Sequence, residues 1–258
     1  MLWLIGGTQE SGEIGAAIAS ISLPCMVTVA TEAAKSLYPP HLPVLARRLQ
    51  RDEMAAFVRD RSVAAVVDAS HPFAVEVSQN AIAVCNANNI PYLRYERPPS
   101  SPTVRERAHC NAIELPSFDA LLAGNYLENQ RVLLTVGCNP LPQFKPWQNR
   151  ATLFARILPA VNSLKIALDA GFAPDRAIAL RPPISPQLEA ALWQHWQISV
   201  VVTKASGKAG GEDTKRAVAA QLGVPLIAIA RPAIAYPQQT SDLNAIITFC
   251  CQFLKSQD

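Results

Sequence analysis

The sequence has no segment of the kind that ties a protein to a membrane or to a nucleic acid. Its uninterrupted apolar runs all fall short of the roughly 18 residues that a membrane-spanning helix needs, so we expect no membrane partner. Its Lys and Arg residues form no dense run and the formal net charge is only +3, so we expect no nucleic-acid partner. A mildly basic chain of this kind favours an anionic small molecule.

The six cysteines also lack the spacing of a functional pair. No two of them have the C-x-x-C pattern, so metal and redox motifs are unsupported and no metal site is predicted. We therefore expect reduced thiols and a cytoplasmic location. Residues 1–5 have no basic region ahead of them and lead directly into glycines, so we expect no signal peptide.

The chain does contain a regular alternation of short apolar runs and helical patterns. Half of its 258 residues are hydrophobic, enough for one large domain or two of ordinary size. In the first half, the predicted strands are 2–5, 27–30, 63–67 and 91–95, and the predicted helices are 11–20, 52–59 and 73–88. This alternation indicates βαβ units and a parallel sheet.

A Pro- and Ser-rich stretch at 98–102 precedes a second alternation. Here the predicted strands are 132–136, 152–157, 178–180, 199–202 and 226–229, and the predicted helices are 117–127, 186–196, 213–222 and 243–255. The pattern predicts an α/β protein with two lobes, parallel sheets and a cleft between the lobes. We expect the first lobe in 1–98, a linker and connecting helix in 99–130, and the second lobe in 131–258.

The most informative segment, 68–74, follows the third predicted strand and has the sequence Asp-Ala-Ser-His-Pro-Phe-Ala. It places an acid, a hydroxyl and an imidazole at the carboxyl edge of the sheet, where ligands of open α/β sheets bind. Pro72 disfavours the helical region for His71. The alternative is that Asp68 or Ser70 only caps the helix that starts near Phe73. The combination with His71 favours a site.

A glycine-rich turn at 6–12 joins the first strand to the first helix. Glycines let a backbone approach a ligand, and a helix N-terminus offers free N–H groups to a phosphate. The turn is not a strict GxGxxG, because Thr8 stands where the second glycine would be. Glycine packing is the alternative explanation, but the position directly after the first strand favours a nucleotide phosphate site.

The end of the second strand normally contacts the adenosine ribose of a dinucleotide. An acid there grips the ribose 2′-hydroxyl of NAD, whereas a base and a hydroxyl accept the 2′-phosphate of NADP. This chain has Thr31, Glu32 and Lys35 at that point. The chemistry of these residues alone leaves NADPH and NADH both open.

Three arginines are candidates for binding an anion. Arg94 and Arg97 lie at the end of the fourth strand, and arginine binds carboxylates in a bidentate manner. The alternative for this pair is a surface ion pair with Glu96. Arg156 lies within an apolar strand, which is costly unless the guanidinium meets an anion or an acid.

A second glycine-rich loop, 203–215, lies between a strand and a helix in the second half. Three glycines, three lysines and several hydroxyls indicate an anion-binding loop, although the spacing is not that of a Walker A motif. The alternative is a solvated loop without a ligand. A position at the carboxyl edge of the second sheet favours binding.

Together these segments resemble the precorrin-6A reductase family of corrin biosynthesis, including its cobalt-precorrin-6A branch. The likeness extends from Leu4 to about Pro232. It rests on the segments 6–10, 68–74, 92–98, 155–159, 204–215, 223–225 and 231–232. Ser70 stands where the family usually has Thr. Lys35 stands in place of the family's arginine at the 2′-phosphate, and Ala34 in place of a glycine.

The resemblance implies two Rossmann-like lobes and an NADPH-dependent transfer of hydride to the C19 region of an anionic tetrapyrrole. It implies cofactor contacts from Gly6, Gly7, Thr8, Glu10, Ser11, Thr31, Lys35 and Ser70. It implies contacts to the acidic side chains of the substrate from Arg94, Arg97, Lys204, Gly207, Lys208, Gly210, Gly211 and Lys215.

His71 is the predicted proton donor or electrostatic stabiliser, because a histidine titrates near neutral pH, and Asp68 is predicted to orient it. A water molecule is the alternative donor. Two other functions remain open: another NAD(P)-dependent reductase of an anionic substrate, and a non-catalytic dinucleotide sensor with an apolar partner surface. Neither the oligomeric state nor the presence of cobalt in the substrate follows from the sequence.

Overall fold

The computed structural model describes residues 1–98 and 112–254. The strands of these ranges are β1 (Leu2–Ile5), β2 (Cys25–Val29), β3 (Val44–Ala46), β4 (Ala65–Asp68), β5 (Tyr92–Tyr95), β6 (Ala112–Leu115), β7 (Arg131–Leu134), β8 (Thr152–Ile157), β9 (Ala177–Ala179), β10 (Val200–Lys204), β11 (Leu226–Ile229) and β12 (Gln239–Thr240). The α-helices are α1 (Gln9–Ser20), α2 (Arg51–Asp60), α3 (Val75–Ala87), α4 (Phe118–Ala123), α5 (Val161–Asp169), α6 (Pro186–His195), α7 (Glu212–Leu222) and α8 (Leu243–Leu254).

The first sheet has the strand order β12-β5-β4-β1-β2-β3, and every neighbouring pair is parallel. The chain first adds strands on one side of β1 and then returns to its other side with β4. The carboxyl ends of β1 and β4 therefore flank the point where the strand order reverses. In open α/β sheets this is where ligands bind.

The second sheet repeats that topology. Its order is β6-β11-β10-β7-β8-β9, again with parallel pairs, so β7 to β11 are arranged as β1 to β5 are. Each sheet has one extra strand beside its fifth strand, β12 in the first and β6 in the second. In this sheet the strand order reverses between β7 and β10. The predicted α/β class with two parallel sheets is confirmed.

The apolar runs of the strands reflect burial on both faces of the sheets. Leu2 and Leu4 of β1 pack in one core cluster with α1 and α8, while Trp3 and Ile5 pack in another with α2 and α3. Strands covered on both faces give continuous apolar segments, which is why the sequence revealed them. In the two described ranges, no helix combines the length and the hydropathy that crossing a bilayer would require.

The chain divides into two compact units, and their bounds differ from the predicted ones. One unit consists of Met1–Pro98 and Ala233–Asp258, and the other of Pro99–Pro232. The predicted second lobe, 131–258, therefore extended too far, because α8 buries Ile246 and Cys250 in the core of the first unit and β12 pairs with β5. The predicted linker, 99–130, contains β6 and α4 of the second unit.

Every predicted strand and helix has a counterpart within a few residues. The elements that were not predicted are β3, β6, β12 and α5. Three of these are short edge strands in which Leu115 is the only fully buried residue, so they lack the apolar run of a central strand. Helix α5 follows Ala160, whose side chain makes no capping hydrogen bond, and it lacks the usual sequence signal of a helix start.

Candidate functional site

In the first unit, the turns after β1 and β4 meet at the point where the strand order reverses. The hydroxyl of Thr8 donates a hydrogen bond to the carbonyl oxygen of Ala69 at 3.1 Å. The glycine turn and the segment 68–74 are thus in direct contact. The two sequence motifs therefore lie together at this edge of the sheet.

The glycine turn is closed by hydrogen bonds of its own. Thr8 caps α1 by accepting from the amide of Ser11 at 3.1 Å, so the helix begins at Gln9 and not near Ser11. The Ser11 hydroxyl accepts from the amides of Gly7 and Thr8 and donates to the Thr8 carbonyl at 2.6 Å. The amides of these residues are therefore engaged inside the turn.

Tyr38 completes this turn, and sequence reasoning missed it. Its hydroxyl accepts from the Gly7 amide at 2.9 Å and lies 2.6 Å from the Ser11 hydroxyl. The ring is 6 % exposed and follows a 3-10 helix, Glu32–Leu37, that leads away from β2. Burial raises the pKa of the Tyr38 hydroxyl, so it remains a hydrogen-bond donor.

The glycines of this region have two different purposes. A Cβ atom on Gly6 would lie 2.0 Å from the Tyr38 hydroxyl, and one on Gly15 would lie 2.9 Å from the Tyr38 ring. A Cβ on Gly12 would lie 2.6 Å from the Leu37 carbonyl. Gly7 has a φ of 107° and no atom within 4 Å of such a Cβ. Packing thus explains the other three glycines, and Gly7 alone offers open space beside the backbone.

At the end of β2, the two residues with opposite implications for the cofactor form an ion pair with each other. Lys35 Nζ lies 2.9 Å from Glu32 Oε2, and both side chains are largely exposed. Thr31 precedes the 3-10 helix and makes no capping hydrogen bond with its side chain. Exposed pairs of this kind are weak and exchange partners readily.

Asp68 is the centre of a buried hydrogen-bond network. Its carboxylate accepts from the Ser70 amide at 2.9 Å, from the Ser78 and Tyr92 hydroxyls at 2.6 Å each, and from Arg94 Nη1 at 3.0 Å. Burial and the charge of Asp68 raise the pKa of Tyr92 far above its usual value, so this hydroxyl stays a donor. These four donors occupy both oxygens, so Asp68 holds in place the segment that carries His71.

Arg94 belongs to the same buried network. Its side chain is 1 % exposed, pairs with both Asp68 and Glu96 at 3.0 Å, and donates to the Ser70 hydroxyl at 3.1 Å. Its guanidinium also lies 5.2 Å from the ring centroid of Tyr236. The alternative pairing with Glu96 is observed, with Arg94 buried and Glu96 partly exposed.

His71 is exposed beyond the end of β4. Its Nδ1 accepts from the Phe73 amide at 3.2 Å, so the neutral ring carries its proton on Nε2. Helix α3 begins at Val75, after Ala74, whose side chain makes no capping bond. The alternative that Asp68 or Ser70 caps this helix is therefore wrong.

Glu10 and Arg97 form a second ion pair near the glycine turn, with Arg97 buried and Glu10 partly buried. Arg97 Nε lies 3.1 Å from Glu10 Oε1, and Arg97 is 9 % exposed. Within the described residues, Glu10 Oε2 is buried and accepts no hydrogen bond. An unsatisfied buried acceptor costs about 1–3 kcal/mol, so a donor group of a ligand would be stabilised there. The substrate contact predicted for Arg97 stays a prediction.

In the second unit, the loop after β10 is held together by hydrogen bonds among its own residues. The Gly207 amide donates to Glu212 Oε2 at 2.9 Å, and Lys215 Nζ donates to the carbonyls of Gly210 and Gly211 at 2.8 and 2.9 Å. Burial, and next the charge of Arg156, lowers the pKa of Lys215 to about 8. Lys215 is 2 % exposed, so its observed role is to stabilise the loop.

The loop glycines are also explained by conformation and packing. Gly207 and Gly211 have positive φ values of 75° and 67°, which favour glycine. A Cβ on Gly210 would lie 1.9 Å from the Ser206 hydroxyl. These three glycines therefore shape the loop, and any contact with a substrate would be made by their backbone alone.

Two further lysines, Lys204 and Lys208, lie at this edge of the second sheet. Lys208 is exposed and lies in the short 3-10 helix Lys208–Gly210. Lys204 is half-buried at the end of β10, with its Nζ 5.9 Å from the ring centroid of Phe118. Burial lowers the pKa of Lys204 to about 8.

Arg156 meets an acid, as its position in an apolar strand required. It forms an ion pair with Glu189 of α6, which also accepts from Trp193 Nε1 at 3.1 Å. Both charged side chains are buried.

Within the described residues, no cluster of three or more His, Cys, Asp or Glu side chains could hold a metal ion.

Comparison with known proteins gives a consistent result. Residues 1–251 match the family model described as precorrin-6x reductase CbiJ/CobK. A cobalt-precorrin-6A reductase of Synechocystis sp. is 46% identical over 99% of this chain and 97% of its own, and one of Priestia megaterium is 30% identical over 96% of each. A precorrin-6A reductase of Rhodococcus erythropolis is 32% identical over 93% of this chain and 92% of its own. The solved structure of a CobK precorrin-6A reductase has the same fold, with a TM-score of 0.81 at 24% identity over 98% of this chain and 97% of its own.

Proposed function

Because the chain belongs to the precorrin-6x reductase family, we propose that it uses NADPH to reduce the macrocycle of precorrin-6A, or of its cobalt form, to the 6B product. Reduction of precorrin-6A in cobalamin biosynthesis is the activity of the family and of the named relatives. A reductase of this family implies a nicotinamide cofactor in general. The choice of NADPH and the residues that bind it are proposed from the geometry of the first unit.

The observation that supports a dinucleotide most directly is Gly7. It lies at the reversal point of the first sheet, has a φ of 107°, and has open space where a side chain would be. The amides of Gly7, Thr8 and Ser11 are engaged within the turn. The first two residues of α1, Gln9 and Glu10, are therefore the source of N–H groups that we assign to the pyrophosphate.

Two further groups fit the cofactor. Lys35 and Thr31 lie at the end of β2, where the 2′-phosphate of NADP would bind, and Lys35 would exchange its exposed partner Glu32 for the phosphate. The unsatisfied Glu10 Oε2 would accept a hydrogen bond from a hydroxyl or amide of the cofactor. Once bound, the nicotinamide supplies the hydride, and the protein supplies orientation and electrostatics.

Reduction of the conjugated macrocycle also requires a proton. We assign this proton to Nε2 of His71, since Nδ1 accepts from the Phe73 amide and the ring is exposed at the edge of the sheet. The network around Asp68 holds the backbone that carries His71, because Asp68 binds the Ser70 amide and Arg94 binds the Ser70 hydroxyl. Asp68, Ser70 and Arg94 are thus positioning residues in this proposal.

For the anionic tetrapyrrole we retain Lys204 and Lys208 as contacts from the second unit. Lys208 is exposed. The pKa of Lys204 is lowered to about 8, and a substrate carboxylate bound nearby would raise it and so stabilise the charged form. Arg94 and Lys215 are excluded because their charged groups are committed to internal partners. A cytoplasmic location, where the five described cysteines would remain unpaired thiols, is part of the same proposal.

The test is a titration of the purified protein with NADPH and NADH, followed by turnover of precorrin-6A and cobalt-precorrin-6A. Tighter binding of NADPH and conversion of either macrocycle would support the proposal. Tighter binding of NADH would mean that Glu32 governs the ribose pocket and that the cofactor is wrong. Dinucleotide binding without turnover of either macrocycle would favour another reductase or a sensor.

A further inference from the structure

We propose that Tyr38 is a positioning residue for the cofactor. It holds the conformation of the glycine turn that receives the pyrophosphate, and it also holds Lys35 at a defined position relative to that turn. This inference rests on the proposed use of NADPH. It assigns a role to a residue outside every motif that the sequence singled out.

The first argument is steric. The first unit has glycines at positions 6, 12 and 15, and each has its missing Cβ within 3 Å of Leu37 or Tyr38. One glycine in the turn and two on α1 therefore leave room for the same two residues. A ring so closely accommodated by the backbone has little freedom, and it is 6 % exposed.

The second argument is the set of hydrogen bonds that the Tyr38 hydroxyl makes with the turn. It lies 2.6 Å from the Ser11 hydroxyl, and its oxygen accepts from the Gly7 amide at 2.9 Å. Burial raises the pKa of Tyr38, so this hydroxyl keeps its proton. Tyr38 thus orients Gly7 and Ser11 simultaneously.

The third argument is the short chain path from Tyr38 to the 2′-phosphate side. The Tyr38 amide donates to the Lys35 carbonyl at 3.1 Å, and the Ala34 amide donates to the Thr31 carbonyl at 3.1 Å. The segment from Thr31 to Tyr38 is therefore one hydrogen-bonded piece. Because Tyr38, at the end of this segment, is bound to the glycine turn, it limits the positions that the Lys35 ammonium group can occupy.

The experiment is an equilibrium titration of NADPH and NADH, by cofactor fluorescence, on the full chain and on Tyr38→Phe. Loss of the hydroxyl should weaken NADPH binding about three- to tenfold, the effect of one net hydrogen bond, and should weaken NADH binding less. In turnover, the KM for NADPH should rise while kcat stays nearly unchanged. Tyr126→Phe removes a hydroxyl from an exposed tyrosine of the second unit and should leave all of these values unchanged.

A pair of variants tests the steric argument. Gly6→Ala should weaken NADPH binding, because its Cβ would lie 2.0 Å from the Tyr38 hydroxyl. Adding Tyr38→Phe to Gly6→Ala removes that atom and should restore part of the affinity. If Tyr38→Phe alone proves unstable, Ser11→Ala removes the same bond from the other side and should reproduce the preferential loss of NADPH.

The outcomes separate this inference from the proposed cofactor. If the unmodified protein binds neither dinucleotide, the cofactor proposal fails and the role of Tyr38 fails with it. If the unmodified protein prefers NADPH but folded Tyr38→Phe binds it equally well, or loses NADPH and NADH binding equally, only the role of Tyr38 is overturned.

Discussion

Asp68 and Arg94 are register partners on β4 and β5, and their side chains form an ion pair at 3.0 Å with exposures of 0 % and 1 %. The pairing of two parallel strands brings together residues that lie 26 positions apart in the chain. Both oxygens of the acid and the hydroxyl of Ser70 are bound in the same network. The segment that carries His71 is therefore anchored by the interior of the sheet.

Removing one member of this pair should be strongly destabilising. Arg94→Leu leaves the Asp68 carboxylate buried without its counter-ion, and we expect the free energy of unfolding to fall by about 3–5 kcal/mol. Urea denaturation measures this loss. The matched control is Lys165→Leu, which breaks the exposed pair with Asp169 and should change stability by less than about 1 kcal/mol. Equal effects of the two substitutions would contradict the buried network.

The arginines and lysines show how far sequence reasoning reached. Segments 68–74 and 204–215 were correctly placed at the carboxyl edges of their sheets, because apolar strands followed by polar turns are visible in sequence. Whether a basic side chain faces a ligand or the interior depends on distant partners. Arg94 pairs with Asp68, and Lys215 donates to two loop carbonyls, and neither of these partners is evident from the sequence.

Tyr38 is a residue of the candidate site that the sequence did not reveal. It lies 27 positions from Ser11 along the chain, in a segment without a functional motif. The available signal was the pair Gly12 and Gly15, three apart on one face of α1, which indicates close approach by another segment. The sequence showed the glycines, but only the structure shows that a tyrosine and not a ligand fills the space beside Gly6.

Lys215 should give the second unit a distinct dependence on pH. Its pKa is lowered from 10.5 to about 8 in the folded protein, so between these values the unfolded chain binds more protons. Stability contributed by this site should therefore rise as pH increases from about 8 to 10.5, and the penalty should be fully present below pH 8.

The difference between the unmodified protein and Lys215→Met isolates this effect. Cys25, Cys85 and Cys250, whose pKa values burial raises to about 12, oppose it above pH 9 and cancel in the difference. Urea denaturation from pH 7 to 10 should show the unmodified protein gaining stability relative to the variant as pH rises. A constant difference would mean that Lys215 titrates normally.

Lys35 and Glu32 should have opposite effects on cofactor choice. Lys35→Ala removes the proposed 2′-phosphate contact and should weaken NADPH binding about tenfold or more, while NADH binding stays the same. Glu32→Gln removes the competing partner at 2.9 Å and should strengthen NADPH binding. Fluorescence titration of both cofactors measures the two ratios. Loss of NADH binding on Glu32→Gln alone would instead identify Glu32 as the ribose contact.

His71 provides the sharpest test of the proposed chemistry, because its role is separable from binding. His71→Ala removes the proton that we assign to Nε2, and a general acid contributes typically about 10²–10⁴-fold to rate. We expect kcat to fall at least about 10²-fold and the affinity for NADPH to stay unchanged. We also expect the decrease in kcat at high pH, which reflects deprotonation of the donor, to disappear. His195→Ala, at the exposed end of α6, is the control. Near-normal turnover of His71→Ala with an unchanged pH profile would assign the proton to water.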